Sequence, residues 1–130
     1  MTPTPPSPNL VAQRIRNRVI EYLELAASMQ AQREYQRSAP SVCVPHEVIN
    51  QWQDWVPQDP RTARPLAVYD QREVSALRQV QAAWEAAADA LPEHPTLDDA
   101  QHLTQWAHLA VVAGEALAVF AVRGRLPEEA

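Results

Sequence analysis

His46-Glu47-Val48-Ile49-Asn50 stands one residue away from the H-E-x-x-H zinc motif. That motif needs two imidazoles one helical turn apart, on one face, to grip the metal. Asn50 takes the place of the second, and an amide is a poor zinc ligand, so the segment reads as an exposed first helical turn. Asp99 and His102 stand three apart, like half of a two-metal carboxylate site in a helical bundle. The other half requires a second acid-x-x-His pair and two inward glutamates. Glu21 and Glu24 supply carboxylates, but the chain has no second Glu-x-x-His. Cys43 is the lone thiol. To act as a nucleophile it needs an activating base and oxyanion donors. His46 follows three residues later, and an extended Cys43-Val44-Pro45 holds the two apart. No catalytic, metal or cofactor site is therefore predicted.

Glu21-x-x-Glu24 is also similar to one half of the paired acidic motifs by which all-α nucleotide pyrophosphohydrolases hold magnesium. The second half of that pattern is Glu-x-x-Asp, and here Glu85 and Asp89 stand four apart. The likeness stops at a fragment, and no such activity is assigned. With two glycines against twelve prolines, the chain has neither a Gly-rich phosphate loop nor a Gly-x-Ser-x-Gly nucleophile elbow.

Two features rise above ordinary core and surface. The first is Val42 to Val56, with Cys43, His46, Trp52, Asp54 and Trp55. Two tryptophans on a short helix beside a proline-rich loop form a candidate protein-binding patch, because a desolvated Trp concentrates binding energy. The competing expectation is that both cap one end of the core. The second feature is the last helix, whose inward face is expected to be Leu103, Ala107, Ala110, Gly114, Leu117 and Ala121. On the opposite side lie His108, Val112, Glu115, Val119 and Val122, a candidate self-association surface. A helix apolar nearly all round is usually buried all round. Either a second chain covers it, or it is the central helix of a monomer.

Helices must position these groups. Asn9 is the expected first N-cap, followed by one helix over 10–36 without Pro or Gly. Its apolar stripe is Val11, Ile15, Val19, Tyr22, Ala26 and Met29, widened by Ile20, Leu23 and Ala27. Arg14, Arg16 and Arg18 on that helix read as a solvated face with local ion pairs to Glu21 and Glu24 rather than a phosphate-binding patch. A short helix is expected over 45–56, then a connector broken by Pro57, Pro60 and Pro65. Asp70-Gln71-Arg72-Glu73 matches a capping box. It opens a helix whose stripe is Val74, Leu77, Trp84, Ala88 and Leu91, with Val80 and Ala87 flanking. Thr96 caps the last helix, expected over 96–123, with Gly124 as left-handed terminator and Pro127 beyond.

The whole reads as an all-α, roughly four-helix bundle of three long helices and one short one, with a proline-rich N-terminal tail. Residues 1–9 are the expected tail, 10–126 the domain and 127–130 a C-terminal tail. The 130 residues suffice for one core. The formal net charge is -5, and all eleven basic residues are Arg. An acidic balance argues against an extended nucleic-acid surface. No run of eighteen uncharged apolar residues predicts a membrane span. A lone Cys and no secretory-type N-terminus fit the cytoplasm. The expected function is a non-enzymatic, small acidic protein-binding module of adaptor, antitoxin or immunity type, self-associating as a homodimer or binding another protein. The alternative is a helical-bundle enzyme or ligand binder using Glu21, Glu24, Asp99, His102 or His46.

Overall fold

The computed structural model describes residues 7–56 and 68–128. Among the described residues there are six helices and no strand, so the protein is all-α. The helices are α1 (Pro8–Ala26), α2 (Met29–Ser38), α3 (Val44–Trp55), α4 (Gln71–Ala90), α5 (Leu97–Gln101) and α6 (Thr104–Ala121). The expected connector around Pro57, Pro60 and Pro65 lies outside the described residues, as do residues 1–6 of the expected tail.

Two helices expected to be continuous are each split. The first begins earlier than Asn9: Ser7 caps α1 by accepting from the Leu10 N–H at 3.1 Å, with Pro8 in the first turn. It ends at Ala26 although no Pro or Gly marks a break. Ser28 starts α2 by accepting from the Ala31 N–H at 3.0 Å. Gln32 then turns back, its Nε2 donating to the Leu25 and Ala26 carbonyls at 3.1 and 3.2 Å. Those carbonyls belong to the last turn of α1, where a helix leaves acceptors unpaired. In the second case, Thr96 accepts from the Asp99 N–H at 3.0 Å but caps only the short α5. The chain breaks at His102 and Leu103 before α6 begins. Gly124 ends the descent of α6 with φ +69°, the left-handed conformation expected of it.

The α4 start follows its local code. Asp70 accepts from the Glu73 N–H at 2.8 Å, and Glu73 returns the bond by accepting from the Asp70 N–H at 3.2 Å. The buried stripe of α4 centres on Leu77, Val80, Trp84 and Ala87, while Val74 and Ala88 sit half-buried at its edges.

α6 lies along both α1 and α4 and runs antiparallel to each. Arg16 meets Phe120 while Gln32 meets Trp106, and Glu73 meets Arg123. α3 closes the other side, with Trp52 bonding to Gln81 and Trp84 to the Ile49 carbonyl. The core joins these helices through Val19, Tyr22, Leu23, Val48, Trp52, Leu77, Val80, Trp106, Leu109 and Phe120.

Two buried polar knots tie α1 and α2 to α6 at opposite ends. At one, Gln32 accepts from the Trp106 indole at 3.0 Å and from Gln101 at 3.2 Å. At the other, Arg16 and Glu73 are both fully buried and paired at 2.6 Å. Arg123 adds two bonds to the same carboxylate, one of them at 3.1 Å. Arg16 also lies over the Phe120 ring, 5.0 Å from its centroid. The expectation of a solvated Arg14–Arg18 face is thus corrected at Arg16. Its position continues the buried spacing of Val19, Ile20 and Leu23, and Glu73 supplies the charge that lets it go inside.

Candidate functional site

The chemistry-bearing residues do not converge. Glu21 and Glu24 on α1 both pair with Arg125, at 3.2 and 2.8 Å. Arg125 belongs to a C-terminal segment that runs back over α1. There Asn17 exchanges hydrogen bonds with Leu126, and Arg18 pairs with Glu128 at 2.6 Å. Hydrogen bonding to Asn17, opposed in part by burial and aided by Arg18, holds the Glu128 carboxyl below its usual range.

Asp99 and His102 do not form a pair. The His102 Nδ1 instead lies 2.7 Å from the Asp98 carbonyl oxygen, with the Asp98 carboxylate at 3.8 Å. Both contacts, the carbonyl first, raise the His102 pKa. His46 is exposed on the first turn of α3, and Asn50 is exposed one turn later. Among the described residues no three His, Cys, Asp or Glu side chains come together as a metal site would require.

The Trp patch divides. Trp52 is 1 % exposed and packs on Tyr22, ring centroids 5.5 Å apart, so it is core. Trp55 is 37 % exposed and Asp54 is exposed beside it. Half-buried Cys43 lies at the other end of α3, its Sγ 3.6 Å from the Pro95 carbonyl oxygen. It lines an open groove of about 500 Å³ with Gln36, Pro40, Pro95, Thr96 and Asp98, which neither His46 nor Trp55 enters.

Among the described residues, the two most exposed large hydrophobic side chains, Val111 and Val122, lie on the outer side of α6 and at its C-terminal cap. Its buried face is Trp106, Leu109, Ala113, Ala116 and Phe120, one residue out of phase with the expected Ala107, Ala110, Gly114, Leu117 and Ala121. Gly114 faces α1, where an added Cβ would meet the Ala27 Cβ at 3.9 Å. Val112 and Val119 are half-buried and pack against the core rather than facing away from it. Directly opposite the core, at helical spacing, lie Thr104, His108, Val111, Glu115, Ala118 and Val122, all exposed. Val111 is 61 % and Val122 72 % exposed.

The chain matches no family model, no curated protein and no solved structure.

Val111, Gln32 and the Arg16–Glu73 pair were missed from the residues alone. The capping box pointed to Glu73, and the i, i+3, i+7 spacing of Arg16 with Val19 and Leu23 was a signal that it lies on the core side. Burial pushes the Glu73 pKa up. Bonds from Arg123, Arg16 and the Asp70 N–H outweigh that and hold the carboxyl below its usual range. Beside it, burial raises the Tyr69 phenol to about 12, the positive charge of Arg16 opposing the rise. Burial also lifts the Tyr22 phenol well above its ordinary range.

Proposed function

We propose that this protein is a non-enzymatic, acidic helical protein-binding module that works as a self-associated pair in the cytoplasm, with α6 as its contact surface. In this reading the framework is a roughly four-helix bundle. α1 with α2 and α5 with α6 each serve as one broken member, beside α3 and α4. The observation that carries it is the mismatch between the composition and the burial of α6. Thr104–Ala121 has a mean hydropathy of 1.2, apolar and long enough to cross a membrane, yet only 28 % of it is buried inside the chain. One face holds the core, and the other leaves Val111 and Val122 in water. Burying a side chain of that size is worth roughly 1.5–3 kcal/mol. A second protein surface recovers that energy while the Trp106–Phe120 face stays on α4 and α1. An acidic chain with an apolar stripe suits a protein partner better than a polyanion.

Light scattering behind a sizing column tests the reading. The wild type is expected at twice the chain mass of 14.6 kDa. Val111→Arg is expected to run as a folded monomer with an unchanged helical signal. Val111 is the position to change, because Arg at Val112 or Val119 would also disturb the intrachain core. A wild-type monomer at high micromolar concentration refutes self-association.

A further inference from the structure

The charge pattern on α6 points to the orientation and register of its partner helix. We propose that α6 pairs with α6 of a second copy, antiparallel, about a two-fold axis beside Val111, so that His108 of each chain meets Glu115 of the other. This rests on the self-association reading and adds its geometry.

His108 and Glu115 are the only ionisable residues of α6. They stand seven apart, two turns or about 10.5 Å along the axis, so both fall on the exposed stripe, with Val111 between them. Among the described residues neither makes an ion pair within the chain. A parallel pair would set Glu115 against Glu115 and His108 against His108, where the like carboxylate charges repel and desolvation disfavours both. An antiparallel pair about Val111 brings His108 within one residue's rise, about 1.5 Å, of the position opposite Glu115, and does so twice. An imidazole N–H donates to a carboxylate whether the ring is charged or neutral. The same register sets Thr104 opposite Ala118, small side chains that allow close approach, and places the two Val111 side chains next to each other on the axis. Opposed helix dipoles favour the same orientation.

Charge exchange and cross-linking test the register. His108→Glu, which places Glu against Glu, is expected to raise the dimer dissociation constant at least about tenfold. Adding Glu115→His should restore it to within about threefold of wild type, since the pairs re-form with partners exchanged. On a Cys43→Ala background, Val111→Cys should form a disulfide-linked dimer under mild oxidation. Ala118→Cys alone should not, because its two copies lie about 21 Å apart along the axis. A mixture of Thr104→Cys and Ala118→Cys chains should give the mixed dimer. Self-linking of Ala118→Cys, or failure of the exchange to restore affinity in a pair that Val111→Arg still dissociates, overturns the register and leaves self-association standing. A wild-type monomer, or a dimer indifferent to Val111→Arg, overturns both.

Discussion

Glu73→Gln is the substitution that bears most directly on how this fold is held. The carboxylate accepts from Arg16 at 2.6 and 3.3 Å, from Arg123 at 3.1 Å and through a second bond, and from the Asp70 N–H at 3.2 Å. The amide keeps the shape and one acceptor but removes the charge. Arg16 then stays fully buried without a counter-charge, its partners reduced to the remaining amide oxygen, the Gly124 and Phe120 carbonyls and the Phe120 ring. Breaking a buried ion pair from one side costs about 3–5 kcal/mol, because an uncompensated charge is left inside. Total stability for a domain of this kind is about 5–15 kcal/mol. A urea melt followed by circular dichroism at pH 7 is therefore expected to show a large drop in midpoint. The control is Glu21→Gln, an exposed carboxylate paired with Arg18 and Arg125, expected to cost less than about 0.5 kcal/mol. The pH dependence gives a second readout. The Glu73 pKa is depressed in the folded state. Its contribution is thus present above the unfolded value of about 4.3 and is lost as pH falls through the folded one. The wild type should lose stability on acidification below about pH 4, and Glu73→Gln should lose less over the same range. Coincident midpoints for Glu73→Gln and Glu21→Gln at pH 7 would refute the claim that the buried pair holds the helices together.

Leu77→Ala and Trp84→Ala should each cost about 2–5 kcal/mol, against under about 0.5 kcal/mol for exposed Arg78→Ala. Equal losses at all three in a urea melt would mean that the α4 stripe is misplaced. Gln32→Leu strips a partner from the Trp106 indole and from the last carbonyls of α1, so it should destabilise by about 1–3 kcal/mol. A neutral effect in the same melt would refute the α1–α2 break as a Gln32-held device. In an alkaline absorbance titration, Tyr69 and Tyr22 should ionise only above the ordinary phenol range, Tyr69 near 12. Ionisation of Tyr69 and Tyr22 near 10 in the folded protein would contradict their burial. Elemental analysis should find no stoichiometric zinc or iron, and about one zinc or two irons per chain would refute the reading of Asn50 and of Asp99 with His102.

What the residues alone determined is what local chemistry decides. The all-helical class follows from long runs without Pro or Gly and from apolar spacing of three and four. The capping box at Asp70 and Glu73 and the left-handed Gly124 were legible because each involves neighbours within a few positions. α4 was readable because polar residues mark one side of it and so set the phase of the stripe. α6 offered no such marker. Its alanines and valines run nearly all round, so the sequence allows several inward faces of similar hydrophobicity. Tertiary packing chose the one that buries Trp106 and Phe120, which turned Val111 rather than Val112 toward water. Partners far along the chain decided the remaining features. Arg16 is inside because Glu73, 57 residues away, meets it there. The helix breaks after Ala26 where Gln32 folds back to a tryptophan 74 residues away. Glu21 and Glu24, whose spacing matches only half of a metal-binding motif, are held by Arg125, about a hundred residues further along the chain. A buried charge or amide is stable only when its counterpart arrives, and the fold alone brings that counterpart into place.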